Sequence, residues 1–558
     1  QAADWLNVVG RVNLDNSDYR NKNEKSASTL TTFCGVSGGF EDAMRQERSL
    51  YADFLANIDK TFGDFHLTAN VGASIYHTSM DQLYIAGDLV IPNFFQINNI
   101  NFSANYKPDP TGYEDEIQSI FASAELSWKN QLYLTVTGRN DWDSKLAFSK
   151  QKSFFYPSVG LSALLSEMVK LPEVISYAKI RGSYTVVASS FDRFLTNPGY
   201  EYNSQTHNWA NPTVYPMDNM KPEKTKSWEI GLNLKFWGNR FNLDATYYRS
   251  NTLNQTFKVD IPSSSGYKQA IVQAGNVQNQ GLELALGFND KWAGFGWSSN
   301  ATFTLNRNKV KRLASGSVNP VTGEAIQMDE MNVGWLGKEN VAPRVILTEG
   351  GSMTDIYVYN QLTKDNNGNI KVDQNGNLGI TSSNTPVKVG NLDADFNLGW
   401  TNHFTYKGID LGVVLSARVG GLAYSATQGI LDYYGVSGTS ATARDNGGIP
   451  INNGKVNAQK YYQTIGTGEG GYGRYYLYSA TNVRLQELSL NYTLPKRWFK
   501  NVANVTLGIV GRNLWMIYCK APFDPELSAS TSSNYYMNVD YFMQPSLRNF
   551  GFNVKVQF

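Results

Sequence analysis

The feature that most constrains this chain is an alternation of apolar and polar side chains with a period of two, repeated along most of its 558 residues. Within residues 228–236 every second side chain is apolar, whereas Glu229, Asn233 and Lys235 have the opposite parity. Because successive side chains of a β-strand point to opposite faces, this row predicts a strand with one apolar face. The pattern restarts after Gly238-Asn239, which predicts a tight hairpin.

The same alternation predicts about sixteen strands of about ten residues or more, the length that crosses a bilayer at a tilt. Helical periodicity is nearly absent. Between Leu485 and Leu488 the apolar parity changes within one strand, and this change predicts a β-bulge. Other alternating segments are 65–75, 132–138, 282–288, 295–305, 396–404, 409–419 and 505–509.

The composition excludes several classes of protein. A net charge of +1 gives no electrostatic signature of nucleic-acid binding. Cys34 and Cys519 lie too far apart in sequence to indicate a disulfide framework or a clustered zinc site. No apolar run approaches the ~18 residues of a membrane-spanning helix. A charged fraction of 17% with 13% aromatic residues is instead typical of a transmembrane β-barrel, in which a lipid face alternates with a polar lumen.

The connections between predicted strands alternate in length, as they do in outer-membrane barrels with short periplasmic turns and long extracellular loops. The predicted short connections are 60–64, 128–131, 166–176, 237–240, 289–294, 406–409 and 493–501. The predicted long loops are 15–47, 78–115, 140–152, 188–220, 257–270, 311–390, 420–478 and 517–545.

The last predicted strand, residues 550–558, alternates up to a terminal aromatic residue, Phe558. Outer-membrane barrels typically end in this way. If that end is periplasmic, the long loops are extracellular. The chain starts at Gln1 without an export signal, so we expect such a signal upstream.

Several motifs resemble a known family of outer-membrane proteins. The run K-P-E-K-T at 221–225, leading into W-E-I-G at 228–231, resembles a hairpin start of TonB-dependent receptors, and A-G-N-V-Q-N-Q-G-L-E at 274–283 resembles a later strand. Segments 476–490 (Y-L-Y-S-A-T-N-V-R-L-Q-E-L-S-L) and 511–514 (G-R-N-L), with F-D-P-E at 523–526, resemble the SusC/RagA-like subgroup.

This resemblance implies an all-β transmembrane barrel of about 22 strands, closed by an N-terminal plug, in the outer membrane of a Gram-negative bacterium. It also implies energy from the TonB complex and a SusD-like surface lipoprotein as a lid, with a dimer of this pair as a further possibility. We therefore expect the plug and about six strands to be absent from residues 1–558. The implied function is the import of nutrient oligomers, glycans or peptides, without a cofactor or enzymatic activity.

Two alternatives remain open at this stage, an outer-membrane barrel enzyme such as a hydrolase and a passive channel or adhesin. The G-x-S-x-G motif at 35–39 lies in a polar loop, without the strand, turn and helix that a nucleophilic serine requires. The G-x-G-x-x-G motif at 466–471 similarly lacks a flanking strand and helix, so we interpret it as a flexible outer loop. The histidines show no metal-ligand spacing; they are His66, His77, His207 and His403.

Candidate site residues fall into two sets. Aromatic residues in the outer loops could stack on sugar rings or peptide side chains, and the competing explanations are an interfacial aromatic girdle and loop packing. These candidates are Tyr200, Tyr202, Trp209, Tyr215, Tyr461, Tyr462, Tyr472, Tyr475, Tyr535 and Tyr536. Strand parity also directs charged residues inward, toward the plug or the transport path, because a charge costs about 2–4 kcal/mol on the lipid face. These are Arg139, Glu229, Lys235, Asp244, Glu283, Arg418 and Arg512.

A short tandem repeat, D-N-N-G-N at 365–369 and D-Q-N-G-N at 373–377, resembles calcium-binding loops. It lacks the glycine position and the later bidentate glutamate of an EF-hand. Asn-Gly turns at hairpin tips explain both copies more simply. Asp365 and Asp373 are therefore weak calcium candidates, and the sequence otherwise predicts no metal site.

Overall fold

A computed structural model shows that the predicted strands form one large antiparallel sheet of sixteen strands with a barrel fold. Each strand pairs with its neighbours in chain order, and the first and last strands each have one partner in the sheet. The structure describes residues 3–102, 109–196, 199–203, 208–215, 220–260, 266–313, 323, 330–526 and 538–558.

The barrel strands, numbered β1 to β16, are Leu6–Lys25, Gly39–Phe62, Phe65–Asp88, Asp109–Trp128, Leu132–Asp143, Ser153–Leu164, Ile175–Ser189, Glu223–Phe236, Phe241–Asp260, Gln269–Trp292, Phe295–Arg312, Phe396–Tyr406, Ile409–Val419, Asn482–Thr493, Asn504–Cys519 and Asn549–Gln557.

The predicted alternation of connection lengths holds along the sheet with one exception: the nine-residue loop 144–152 is shorter than the ten-residue turn 165–174 that follows it. The connections at one end of the sheet, here the short-turn end, run from two residues at 63–64 to ten at 165–174. Those at the opposite end, here the long-loop end, run from eight residues at 261–268 to 83 at 313–395. Consecutive antiparallel strands run in opposite directions, so successive connections lie at opposite ends of the sheet. The short turns therefore collect at one end and the longest loops at the other.

The predicted boundaries of the first loops are wrong. Strands β1 and β2 stay paired from Leu6↔Ile58 to Lys25↔Gly39, so only residues 26–38 connect them. The predicted loop 78–115 likewise shortens to 89–108, and the other loop boundaries shift by at most a few residues. The outward face of β1 becomes polar after Leu14, so the apolar pattern stops while the backbone ladder continues.

The outward face of the sheet carries an exposed apolar belt. Val12, Leu14, Phe54 and Ile120 share this parity and are more than half exposed. Monomeric soluble proteins rarely expose a contiguous apolar surface of this extent. A lipid bilayer removes the belt from water, as the sequence predicts for a transmembrane barrel.

Aromatic rings line the belt at the short-turn end. Trp237 and Phe241 have ring centroids 5.3 Å apart, and Phe288 lies 4.7 Å from Phe241 and 4.8 Å from Trp297. The indole nitrogen of Trp297 donates to Asn402 Oδ1 at 3.1 Å, so its polar group is satisfied. An aromatic row at a strand end is the interfacial girdle of outer-membrane barrels.

The predicted β-bulge in β14 is confirmed. Val414 pairs with Glu487 and the next residue, Leu415, pairs with Leu485, so Gln486 is the extra residue. The register also shifts at this place against β15.

The long-loop end carries a folded unit, here the loop domain, comprising residues 330–395, 420–481 and 538–548. Its buried core includes Val345, Ile356 and Tyr424, and it extends into the barrel through Val277 of β10 and Val310 of β11. The loop domain is therefore packed directly onto the ends of two barrel strands.

The strands of the loop domain are Glu330–Trp335, Arg344–Thr348, Asp355–Leu362, Ile380–Asn391, Leu422–Ser425, Ile449–Ile451, Gly454–Val456, Gly466–Thr467, Gly470–Gly471, Leu477–Ser479 and Val539–Asp540. In the described part of the chain, the α-helices are α1 Leu165–Met168, α2 Ala426–Tyr433, α3 Gly438–Asp445, α4 Ala458–Ile465 and α5 Gly473–Tyr476. The 3₁₀ helices of the same residues are Ile97–Asn99, Ser144–Leu146 and Lys496–Phe499. Outside these units, Glu201–Asn203 pairs with Asn208–Ala210, and Val214–Tyr215 pairs in parallel with the start of β10.

The helices of the loop domain were not predicted, because none exceeds eight residues and so none shows a sustained period of 3.6. In the part of the chain that the structure describes, no helix is long and apolar enough to cross a membrane.

The interpretation of residues 466–471 as a flexible loop is wrong. Gly466–Thr467 and Gly470–Gly471 form a small hairpin that packs against α2. A Cβ atom on Gly429 of α2 would lie 2.4 Å from the Gly471 nitrogen. The glycines therefore permit close approach of two backbones rather than flexibility.

Candidate functional site

The inward face of the barrel pairs its charges across neighbouring strands. Arg181 of β7 donates through Nη2 to Asp244 Oδ1 of β9 at 2.9 Å and to Thr246 Oγ1 at 2.6 Å. Asn233 of β8 donates its amide to Asp244 Oδ2 at 3.0 Å. The predicted inward residue Asp244 therefore lies in a hydrogen-bonded group of four side chains, which neutralises its charge.

Arg139 forms a second group of this kind on the same face. Its Nε donates to Asp141 Oδ1 at 2.7 Å and its Nη2 to Ser119 Oγ at 2.8 Å. The Tyr156 hydroxyl donates to the other oxygen of Asp141. The guanidinium also lies 5.6 Å from the centroid of the Phe121 ring, within cation–π range.

The other predicted inward residues differ in their partners. Arg512 donates through Nε to Glu487 Oε2 at 2.8 Å, and Lys235 lies 5.3 Å from the centroid of the Tyr177 ring. Glu229 pairs with Tyr248 and Glu283 pairs with Thr246. Both partners share the face of Asp244 on β9, so both glutamates also lie on the inward face.

Glycines on the inward face leave room for amide side chains to lie flat on the wall. A Cβ atom on Gly287 would lie 2.0 Å from Asn242 Oδ1, and one on Gly508 would lie 2.0 Å from Asn491 Oδ1. These amide side chains lie along the sheet and make the wall polar at β9–β10 and at β14–β15.

Arg418 has a role that the sequence did not predict. Its guanidinium donates to the Leu392 carbonyl oxygen at 2.7 Å and to Asn538 Oδ1 at 3.2 Å. Asn538 in turn donates to the carbonyl oxygens of Leu392 and Leu422. Arg418 therefore fixes the loop domain to the end of β13.

A buried ion pair anchors the loop after β15. The side chain of Arg484 is only 5% exposed and lies 2.8 Å from Asp524 Oδ1 and 3.3 Å from Glu526 Oε2. Asp524 also accepts from Ser546, just before β16. In the sequence, these residues stand out only as parts of motifs. Their contact is not predictable from strand parity, which carries no information on which loop residues a strand residue contacts.

Among the predicted aromatic residues of the loop 190–222, Tyr200, Tyr202 and Trp209 are exposed. Tyr202 and Trp209 are cross-strand partners with ring centroids 5.2 Å apart, and they are 51% and 67% exposed. Tyr200, just before this hairpin, is 67% exposed. Tyr215 is partly buried and packs edge-on against Tyr267.

The predicted tyrosines of the loop 420–481 are packed instead. Tyr461, Tyr462 and Tyr475 lie against the core of the loop domain, and the Tyr475 hydroxyl accepts from the Leu362 nitrogen at 2.7 Å. Burial raises the pKa of Tyr461 to about 12. Loop packing therefore accounts for Tyr461 and Tyr475, whereas the partly buried Tyr462 also lines a cavity beside α3. Tyr472 is partly buried and precedes α5, and Tyr535 and Tyr536 lie outside the described residues, as does His207.

The tandem repeat forms two similar turns. Asp365 Oδ1 accepts from the backbone nitrogens of Asn367 and Asn369, and Asp373 Oδ1 accepts from those of Asn375 and Asn377. These bonds close Asx-type turns, which explains the repeat without a metal. The described residues contain no cluster of three or more histidine, cysteine, aspartate or glutamate side chains that could hold a metal ion.

The fold and its inner face define a class of protein, the transmembrane β-barrels of bacterial outer membranes. Residues 2–337 match the family described as TonB dependent receptor-like, beta-barrel. This match covers more than half of the chain, and the chain belongs to that family. The barrel therefore crosses the outer membrane of a Gram-negative bacterium with its strands.

Two curated relatives support this membership. The chain is 24% identical over 570 residues to TonB-dependent receptor P3 of Formosa agariphila, covering 95% of this chain and 54% of that protein. It is 25% identical over 452 residues to TonB-dependent receptor SusC of Bacteroides thetaiotaomicron, covering 76% of this chain and 43% of that protein. The chain thus spans about half the length of the curated relatives it matches.

A solved structure shows the same fold. The structure of the RagAB peptide transporter aligns with a TM-score of 0.76 at 16% sequence identity, covering 99% of this chain and 60% of that chain. The resemblance to the SusC/RagA-like group is confirmed. These relatives are receptors and transporters, not enzymes.

Proposed function

We propose that this chain is the barrel of an active importer that takes up nutrient oligomers, glycans or peptides, with energy from the TonB complex. The observation that carries the proposal is its membership of the TonB-dependent receptor family. The likeness to SusC supports nutrient import as the activity, and that to RagA supports the fold.

The inner wall supports the presence of a movable plug. Arg181, Asp244 and Arg139 are already paired within the wall. A plug domain could therefore move past these side chains without forming or breaking ion pairs with them. The polar surface over Gly287 and Gly508 is equally suited to contact a polar protein domain. We propose that a plug preceding this barrel occupies the lumen.

The long-loop end supports capture of substrate from outside. The loop domain is a folded platform on the barrel ends, and Tyr202 and Trp209, in another loop of the same end, carry exposed rings that suit stacking. A SusD-like lipoprotein would close over this end as a lid, and two such pairs could form a dimer.

Uptake by whole cells tests this proposal. We expect a strain carrying the full-length protein to grow on its oligomer, and to lose that growth when either TonB or this transporter is deleted. Growth on the corresponding monomer, which diffuses through porins, is the control and should not change. Uptake of the oligomer that persisted without TonB would contradict active import and favour a passive channel.

A further inference from the structure

The loop domain contains a cavity of about 450 Å³ that no role described above uses. It lies between α3, the hairpin of Ile449–Ile451 with Gly454–Val456, and the second half of α4 at Tyr462. Ligand sites in proteins commonly have volumes of ~300–1,000 Å³, so the cavity is large enough for a small ligand.

The frame of the cavity is fixed by local hydrogen bonds. The Ser437 hydroxyl accepts from the Ser440 nitrogen at 3.0 Å and so caps the N-terminus of α3. At the other end, the Gly448 nitrogen donates to the Ala443 carbonyl oxygen at 2.8 Å, which turns the chain into the hairpin. Ala443 and Gly448 are buried and form the floor. The cavity is therefore preformed.

One cation lines this cavity. Among its described lining residues, Lys455 is the only charged side chain, and no carboxylate is present. The Lys455 ammonium donates to the Asn446 carbonyl oxygen at 2.6 Å. An ammonium has three donors, so two remain for a ligand. The lining therefore favours a ligand that carries a carboxylate.

The remaining lining residues suit a polyhydroxylated ring. Tyr462 presents an aromatic ring, held edge-on by Tyr461 with centroids 5.2 Å apart. Asn446 brings an exposed amide to the same cavity, and the exposed Thr442 hydroxyl, which donates to the Gly438 carbonyl oxygen at 2.9 Å, can still accept from a ligand. The Thr439 hydroxyl is already bonded to Asp432 and Gln428. The negative face of an aromatic ring attracts the C–H groups of a sugar, and the polar side chains can bond its hydroxyls.

We propose that this cavity binds an acidic sugar residue, with its carboxylate at Lys455 and its ring against Tyr462. This assignment rests on the proposed function and names acidic oligosaccharides as its substrate class. A peptide C-terminus also carries a carboxylate, but it offers Tyr462 no ring of polarised C–H groups. The cavity is thus a capture subsite on the external platform of the importer.

Binding of three probes to the purified full-length protein in detergent tests the proposal. The probes are digalacturonic acid, the neutral disaccharide cellobiose and the dipeptide dialanine, measured by isothermal titration calorimetry at low and high salt. We expect digalacturonic acid to bind at least tenfold more tightly than either of the others, and its affinity to fall as salt rises.

Variants assign that binding to the cavity. Lys455→Gln should weaken binding of digalacturonic acid by about tenfold or more, because the ion pair is lost. Lys455→Arg should retain most of the affinity, which separates loss of charge from loss of folding. Lys371→Gln removes the same charge from an exposed site elsewhere in the loop domain and should change nothing.

Several results would overturn the assignment. These are no binding of digalacturonic acid, equal or tighter binding of cellobiose or dialanine, and an equal loss in the Lys371→Gln variant. TonB-dependent uptake of some other oligomer would persist in such a case, so failure of this assignment is distinguishable from failure of the proposed function.

Discussion

At the scale of single residues, the packing of side chains on the inner wall depends on the positions of its glycines. Inward-facing positions include both polar side chains and glycines, and several of these glycines lie directly beneath a neighbouring amide or guanidinium. Gly231 is one example, since a Cβ atom there would lie 2.5 Å from Arg181 Nε. Such a wall cannot be read from hydrophobic alternation, which does not distinguish glycine from other inward residues.

Replacing Gly281 with alanine should destabilise the barrel by about 1–3 kcal/mol, because the added carbon would lie 2.3 Å from the Leu305 carbonyl oxygen, a backbone atom that the sheet holds in place. Gly160→Ala is the matched control on the same inner face, where the nearest atom would lie 3.9 Å from the new Cβ. Urea unfolding in detergent micelles measures both. Equal midpoints for the two variants would contradict the packing described for this wall.

Two of the arginine ion pairs at the long-loop end should differ in their contribution to stability. Arg484→Met should cost about 3–5 kcal/mol, because it leaves the largely buried Asp524 without its cation. Arg307→Met is the control, since Arg307 and Asp395 are 52% and 61% exposed and such pairs contribute about 0–1 kcal/mol. Unfolding by urea compares them, and a similar small effect of both would show that Asp524 is accessible to water.

At the scale of elements, the sequence predicted the barrel strands well and the loop domain poorly. Strand existence followed from parity, and even the extra residue at Gln486 was visible as a change of parity. The helices α2 to α4 were missed because each has about two turns, and their N-caps, such as Ser425 and Ser437, resemble ordinary loop serines. Partners such as Arg484 and Asp524 lie 40 positions apart, and no local pattern indicates such contacts.

The turn at Asp373 should loosen at low pH. Hydrogen bonds from the backbone and side chain of Asn377 hold the pKa of Asp373 below its usual range. The stabilisation is therefore present above the unfolded pKa of about 3.9, and it is lost as pH falls through the lower folded value.

Amide hydrogen exchange at Asn377 measures this effect. Protection should be constant from neutral pH down to about the unfolded pKa, once corrected for intrinsic exchange, and should fall only below it. An Asp373→Ala variant should lack protection throughout this range. Protection that decreased as pH rose above the unfolded pKa would have the wrong sign for this carboxylate.

At the scale of the whole molecule, the two ends of the barrel differ in structure. The short-turn end carries the aromatic girdle, and the long-loop end carries the loop domain, the exposed Tyr202–Trp209 pair and the cavity at Lys455. For an importer, the loop domain must therefore face the outside of the cell, and the short turns must face the periplasm.

Labelling of single cysteines in whole cells tests this orientation most directly. In the full-length protein with Cys34 and Cys519 replaced, Asn453→Cys places a thiol at the tip of a loop-domain hairpin and Asp64→Cys places one in a short turn. We predict that a membrane-impermeant maleimide labels residue 453 in intact cells, and residue 64 only after the outer membrane is permeabilised. Labelling of residue 64 but not residue 453 in intact cells would contradict the account.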